Sequence, residues 1–444
     1  MKKYIIGIVS IMLSLSQVGA QSYILTDVAG LRVFGFSGDG GAATNAHMYN
    51  PMGVYVDNSG NIYFTDWGNS RVRWVNGNGI INTMSGNGVY GYSGDGGQAT
   101  DAELNGPMEV FKDASGNIYI TDIGNARIRK VNTSGSISTF AGSGKYGYSG
   151  DGGPATAADF ADPIGICSDA VGNIYLTDVF NNRVRKINTA GIISTVAGNG
   201  VRGYSGDGGT ASLAEMYYPT GVAVDNTGNI YIADADNSCI RKVNTYGIIS
   251  TIAGNGAVGY SGDGVAATAT RLFYPAGVAV DKWGNVYITD SFNSRIRKVD
   301  SAGIITTIAG NGIPGYSGVG GFATLAEILN PVDIVTDTSG NLYFTNAFNN
   351  HIQKLSPAPA EAAPNAYVKV YPNPSDAVFT FMVENYTGYL RAEIYNVLGQ
   401  KVSYIGLNQE STRINLAGNS RGVYFYRVLT ADNRTFAAGK IVLL

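Results

Sequence analysis

The sequence predicts an all-β protein, a six-bladed β-propeller with four strands per blade, followed by a small C-terminal β-sandwich. Three observations lead there. The segment GNIYFTD at Gly60 returns as near-copies at Gly116, Gly172, Gly228, Gly284 and Gly340, always 56 residues on. The loop motif SGDG keeps the same step from Ser37 through Ser93, Ser149, Ser205 and Ser261 to Ser317, where it reads SGVG. Gly fills 61 of 444 positions, about twice its usual ~7%, while 44% of residues are hydrophobic, which suits short strands joined by tight turns and is too apolar for disorder.

Taken from the N-terminus, Lys2 and Lys3 precede the apolar run Tyr4 to Leu15, and Val18-Gly19-Ala20 offers small residues for cleavage. Residues 1–20 are therefore expected to be an export signal that places the mature chain outside the cytoplasm. No Cys follows the cleavage point, so a lipid anchor through one is not expected, and no later stretch reaches the ~18 apolar residues of a membrane-spanning helix.

Residues 21–355 are expected to form the propeller. One copy reads PMGVYVD, NSG, NIYFTD, WGNS, RVRWV, NGNG, IINTMSG, which is four short β-branched and aromatic runs separated by Asn, Asp, Ser and Gly turns. Such a unit cannot bury both faces alone; radial packing of six units does so and leaves only short edges. The sixth copy lacks its fourth strand, since PAEAAPNA follows Leu355. YILTDVAG, Tyr23 to Gly30, lies one period before GIINTMSG of the first copy and is expected to complete the last blade, removing its free edge.

These residues resemble NHL-repeat propellers, whose repeat also runs from a proline through G-V-A-V-D, a turn, G-N-I-Y-x-x-D and N-x-R-I. Gly221 to Asp225 and Gly228 to Asp234 are close matches, and the SGDGG insert followed by Ala-Thr, as at Ala99-Thr100, looks like that of large extracellular and bacterial members. The resemblance covers about three quarters of the chain and implies a fold that hosts many activities.

After a Pro/Ala-rich linker, residues 356–365, the period stops. VYPNP at Val370, IYNVLGQKV at Ile394, GVYFYRV at Gly422 and GKIVLL at Gly439 resemble the type A C-terminal sorting domain of the type IX secretion system of Bacteroidota, here residues 366–444. The resemblance implies the secretion machinery as a partner, passage across the outer membrane, and a secreted or surface-attached product. Read from residues alone, the stretch is a small antiparallel sandwich with turns at Asn373, Gly399 and Asp432-Asn433.

Composition excludes several functions. A net charge of −3 with 14% charged residues lacks the field that drives nucleic-acid binding. Two His and two Cys exclude a three-His site or a Cys cluster. Cys167 and Cys239 occupy different phases of neighbouring repeats and are expected as free, packed thiols, with a disulfide the alternative. A nucleophile elbow, phosphate loop or zinc signature is absent.

Differences between copies mark candidate sites. Asp66, Asp122, Asp178, Asp234 and Asp290 end the second strand, facing Arg73, Arg129, Arg185, Arg241 and Arg297 on the third; in the sixth copy both change together, to Asn346 and Gln353. Structural ion pairs are expected, because neither partner is tolerated singly when buried. The SGDGG loops read as turn chemistry rather than calcium loops, their Asp accepting backbone N–H groups. Their preceding aromatics, from Phe36 to Tyr316, read as loop-packing rings.

The face bearing the inter-blade connections is the expected binding face. Its rim comprises Trp67, Phe180, Tyr217, Tyr218, Phe273, Tyr274, Phe292 and Phe348, with Asn50, Asp162 and Asn330, and the SGDGG loops are expected beside them. Glu109 and Asp333 replace Gly at an innermost position and are the only catalytic or metal candidates, through acid–base chemistry or a divalent cation, with solvated channel carboxylates the plainer reading. No cofactor is otherwise expected. The sequence thus points to a non-enzymatic binding or scaffold module for protein or polysaccharide, the alternative being a metal-assisted hydrolase or lyase.

Overall fold

The structure is a computed structural model describing residues 22–358, 367–384, 390–407, 411–430 and 435–444. The expected export signal, linker residues 359–365 and the Asp432-Asn433 turn lie outside the described residues. The chain divides into two compact units, Ser22–Pro357 and Ala358–Leu444.

The first unit holds six sheets with the strand order of propeller blades. In the first blade, Pro51–Val56, Ile62–Asp66, Arg71–Val75 and Ile81–Ser85 pair antiparallel in chain order, innermost to outermost. Every residue of the second strand is buried, because blades pack on both its faces. Asp57 closes the turn after the first strand by accepting from the Asn61 amide groups and the Tyr63 hydroxyl. Gly60, at φ 79°, takes the left-handed place there.

The ring closes through the inner strands. Thr65 Oγ1 accepts from Gly53 N in its own blade and donates to Met108 O in the next. Thr345 Oγ1 donates to Met52 O at 2.8 Å, which joins blade six to blade one. The mature N-terminus completes blade six: Tyr23–Ala29 pairs with His351–Pro357, Tyr23 opposite Pro357 and Leu25 opposite Leu355. That third strand runs past Leu355, where it was expected to end, because Tyr23 and Ile24 extend the ladder beyond it. Tyr23 and Leu25 are fully buried in the last hydrophobic layer.

The SGDGG inserts depart from the expectation. Each folds down the outer edge of its blade instead of standing on the mouth face: Ala42 bridges Ile80, Gln98 bridges Ser136, Pro154 bridges Ile192 and Thr210 bridges Ile248. The insert covers an edge that would otherwise be free to pair.

This placement explains the loop aspartate. Arg73 is fully buried and lies between two carboxylates, Asp39 of the insert at 2.6 Å and Asp66 of the second strand at 3.6 Å. The same Asp–Arg–Asp arrangement recurs as Asp95–Arg129–Asp122, Asp151–Arg185–Asp178, Asp207–Arg241–Asp234 and Asp263–Arg297–Asp290. The loop Asp also accepts backbone N–H groups, as Asp95 does from Thr139, but its main partner is the guanidinium. In blade six Val319, Asn346 and Gln353 replace all three members. Gln353 there bonds Asn346 and Asp27, the latter supplied by the N-terminal strand. Burial raises the inner carboxyls, Asp66, Asp178 and Asp234 to about 6, against the lowering pull of the arginine and the hydrogen bonds.

The second unit is a sandwich. Tyr367–Tyr371, Val378–Glu384 and Ser411–Asn415 form one sheet; Lys401–Leu407, Leu390–Tyr395, Gly422–Thr430 and Thr435–Leu443 form the other. Phe379, Phe381, Ile394, Val428 and Ile441 fill the space between. Glu393 is held at about 2 by hydrogen bonds from Tyr395, Lys401 and Arg427.

Two outcomes test this architecture. Leu25→Ala should cost about 2–5 kcal/mol in urea unfolding of the mature protein, and deletion of Tyr23–Gly30 should lower the melting temperature far more; an unchanged transition would contradict the clasp. Arg129→Gln alone should cost about 3–5 kcal/mol by leaving the buried Asp122 carboxylate without its cation, whereas Arg129→Gln with Asp95→Val and Asp122→Asn, the blade-six set, should recover part of that loss.

Candidate functional site

The residue before the strand-one proline decides what stands at the channel mouth. It turns the chain from the insert into the blade with positive φ: Asn50 49°, Gly106 65°, Asp162 54°, Tyr218 58°, Tyr274 53° and Asn330 45°. Gly, Asn and Asp accept that conformation readily; a bulky side chain pays about 1–2 kcal/mol for it. Blades four and five nevertheless carry Tyr.

Both tyrosines enter a continuous run of rings. Tyr146 lies 6.3 Å from Phe180, Phe180 5.2 Å edge-on to Tyr218, and Tyr218 6.3 Å from Tyr274. Tyr274 stacks on Phe292 at 5.0 Å, and Phe292 meets Phe273 edge-on at 4.9 Å. Tyr218, Tyr274, Phe292 and Phe348, with Met52, Met108 and Ile164, wall a cup of about 280 Å³. Asp162 and Asp236 flank the run, and burial raises both carboxyls.

Of the other expected rim residues, only Asn330 lines the cup. Trp67 sits beside Gly106, its Nε1 buried without a hydrogen-bond partner. Tyr217 bonds Asp236 and lies under Arg202 at 5.6 Å. Asn50 N donates to Asn350 Oδ1. Tyr146 and the two methionines were not among the residues singled out from sequence. Tyr146 lies in a variable insert; Met52 and Met108 stand one period apart directly after the strand-one proline, with Ile164 next in phase, so that shared phase was the signal that could have found them.

Glu109 and Asp333 form the floor. They come from blades two and six, on either side of Gly53, and hydrogen-bond each other directly. Gly53 makes this possible, because a Cβ there would sit 2.5 Å from Glu109 Oε1. Asp333 Oδ2 accepts from Val54 N at 2.8 Å and Glu109 Oε1 from Val110 N at 3.0 Å. Both also line an apolar chamber of about 220 Å³ beneath, with Cys167 on its wall.

Both residues remain partly exposed on the channel axis, and there they meet each other. Burial and the Asp333 charge raise Glu109 well above the carboxylate range, and burial raises Asp333 to about 6. Both carboxyls are raised and hydrogen-bonded to each other, so they titrate as one coupled pair. A divalent cation does not fit this donor set. Among the described residues no three His, Cys, Asp or Glu side chains come together, and Ca²⁺ takes six to eight oxygens. Cys167 and Cys239 are free thiols.

The pair sets a pH dependence. Raised folded values give a stabilising contribution fully present below the ordinary carboxylate pKa and lost as pH rises through about 6. The melting temperature of the wild type relative to Glu109→Gln, Asp333→Asn should therefore fall by a few degrees from pH 4 to pH 7, followed by scanning calorimetry. A constant difference would mean that the two acids do not share a proton.

Comparison with known proteins places both units. The Teneurin NHL domain matches residues 35–93, 201–261 and 256–317, and the Secretion system C-terminal sorting domain matches residues 369–443. The chain is 29% identical over 275 residues to Protein SUPPRESSOR OF QUENCHING 1, chloroplastic, of Arabidopsis thaliana, covering 59% of this chain and 26% of that protein. It is 31% identical over 236 residues to Teneurin-3 of Danio rerio, covering 46% of this chain and 8% of the relative. The chain thus spans about a quarter or less of these relatives. Among solved structures, a Bacteroides thetaiotaomicron protein of unknown function superposes with a TM-score of 0.56 at 17% identity, covering 76% of each chain. An auxiliary nutrient binding protein of the same organism superposes at 0.55 with 14% identity, covering 76% of this chain and 77% of that one. Repeats, fold and tail agree: the chain is an NHL-repeat β-propeller protein with a type IX secretion C-terminal sorting domain, exported to the cell surface or the extracellular space.

Proposed function

We propose that the propeller is a non-enzymatic binding module that captures an extracellular polysaccharide at its channel mouth. One observation carries the reading: Tyr218 and Tyr274 hold a backbone conformation that four other blades give to Gly, Asn or Asp. Strain of this kind is kept where a side chain is needed at that spot, and here it sets two rings at the entrance of a cup. The C–H face of a sugar stacks on such rings, while its hydroxyls need the polar groups that Asp162, Asp236 and Asn330 place around them. The cup has room for a terminal residue and the ring run for those that follow. The fold is shared with solved proteins described as auxiliary nutrient binding proteins from Bacteroides thetaiotaomicron and Bacteroides ovatus.

The hydrolase or lyase reading gains less support. Glu109 and Asp333 are two acids raised by burial, but they contact each other, leaving no room for a scissile bond between them.

A polysaccharide panel titrated against the mature protein by calorimetry tests the proposal. Tyr218→Asn and Tyr274→Asn should each weaken binding at least about tenfold with stability unchanged or raised, since Asn suits the left-handed turn. Equal affinity in both variants, or no polysaccharide bound at all, would defeat the reading.

A further inference from the structure

Four blades show what one position of the third strand is built to hold. Arg71, Arg127, Arg183 and Arg295 each lay a guanidinium over the aromatic ring of the insert, at 3.8, 3.9, 3.8 and 3.9 Å from Phe36, Tyr92, Tyr148 and Tyr260. Nη1 donates to the carbonyl closing the turn before the strand, Asn69, Asn125, Asn181 or Asn293, at 2.9 Å in each case. Nη2 donates to a carbonyl just past the fourth strand, that of Asn87, Ser143, Asn199 or Asn311, at 2.7–3.0 Å. In blade six His351 takes the place, with Nδ1 2.6 Å from Asn349 O and its ring against Tyr316.

Blade four has Cys239, fully buried and too short to reach either carbonyl. The frame around it is unchanged. Asn237 Nδ2 still bonds Gly203 O at 2.7 Å, Asn255 N still bonds Thr270 O at 2.9 Å, and Ser238 keeps a φ of 51°. Tyr204 remains as an exposed platform. Among the described residues no side chain donates to the carbonyls of Asn237 or Asn255. The glycines measure the room left. A Cβ on Gly88, Gly144, Gly200 or Gly312 would meet the guanidinium at 2.1–2.2 Å, whereas on Gly256 it meets nothing within 4 Å.

We propose that blade four carries a binding slot for a guanidinium group, filled by an arginine side chain of an extracellular partner protein. The slot offers one ring face and two convergent carbonyl acceptors, which match a planar fork with delocalised charge and not a compact ammonium. The one cation near the platform, Arg241 at 5.0 Å from the Tyr204 ring, is already taken by Asp207 and Asp234 and does not serve the carboxylate of a free amino acid, so the side chain enters alone. This site lies on the outer flank of the blade and is independent of the polysaccharide reading of the channel mouth.

The experiment titrates the mature protein with N-acetylarginine methylamide, free arginine and N-acetyllysine methylamide, reading melting temperature and NMR shifts. The capped arginine should give a saturable stabilisation and perturb the signals of Tyr204, and the lysine analogue should not. Cys239→Arg, which installs the residue that four blades already carry, should melt a few degrees higher than wild type and no longer respond. Tyr204→Leu, which removes the platform, should not respond either. Silence of the wild type to every guanidinium probe, an undiminished response in Cys239→Arg, or a response to free arginine alone would overturn the proposal.

Discussion

One guanidinium shared between two carboxylates organises five of the six blades. The arginine rises from the third strand into a fully buried position, where the second-strand aspartate alone would leave part of its fork unmatched. The loop aspartate supplies the remainder, and to do so the insert must come down over the outer edge. That single requirement draws the aromatic residue of the insert onto the arginines and protects the outer strand from pairing. It also holds the SGDGG segments away from the axis, leaving the mouth to the short turns, the pre-proline residues and Tyr146 of one insert. The inner acid of each triad titrates high because it is wholly buried, and the guanidinium offsets only part of that cost.

Much of the fold was legible because repetition turns one reading into six. The 56-residue step, the turn residues and the missing fourth strand of the last copy suffice for the blades and the N-terminal clasp. The triad was only two-thirds visible. The joint change to Asn346 and Gln353 announced a pair, but Val319 changes in the same copy and should have been counted with them. It was read as a turn residue because it lies 34 residues from its partner position, and no local pattern spans that distance.

The site was less legible for a physical reason. Glu109 and Asp333 stood out as replacements of Gly, yet their contact depends on the width of the channel and on the bare backbone of Gly53, which sequence spacing does not reveal. The rim was named residue by residue, but which rings touch depends on rotamers and blade rotation; Trp67 and Tyr217 turned to other partners. Tyr218 and Tyr274 carried a usable signal all along. At a position otherwise held by Asn, Gly or Asp, a tyrosine opposes the backbone preference, and such local conflicts are where repeat proteins write what the repeat itself does not need.

The seam of the ring joins residues that are 326 positions apart, Asp27 and Gln353. As the chain is made, its first mature strand therefore has no mate until nearly the whole propeller has followed it. Contacts of such long sequence separation form late and slowly. For a polypeptide bound for the cell exterior this delay is useful: the ring cannot lock while most of its length is still being threaded, so the same clasp that secures the finished disc also postpones it.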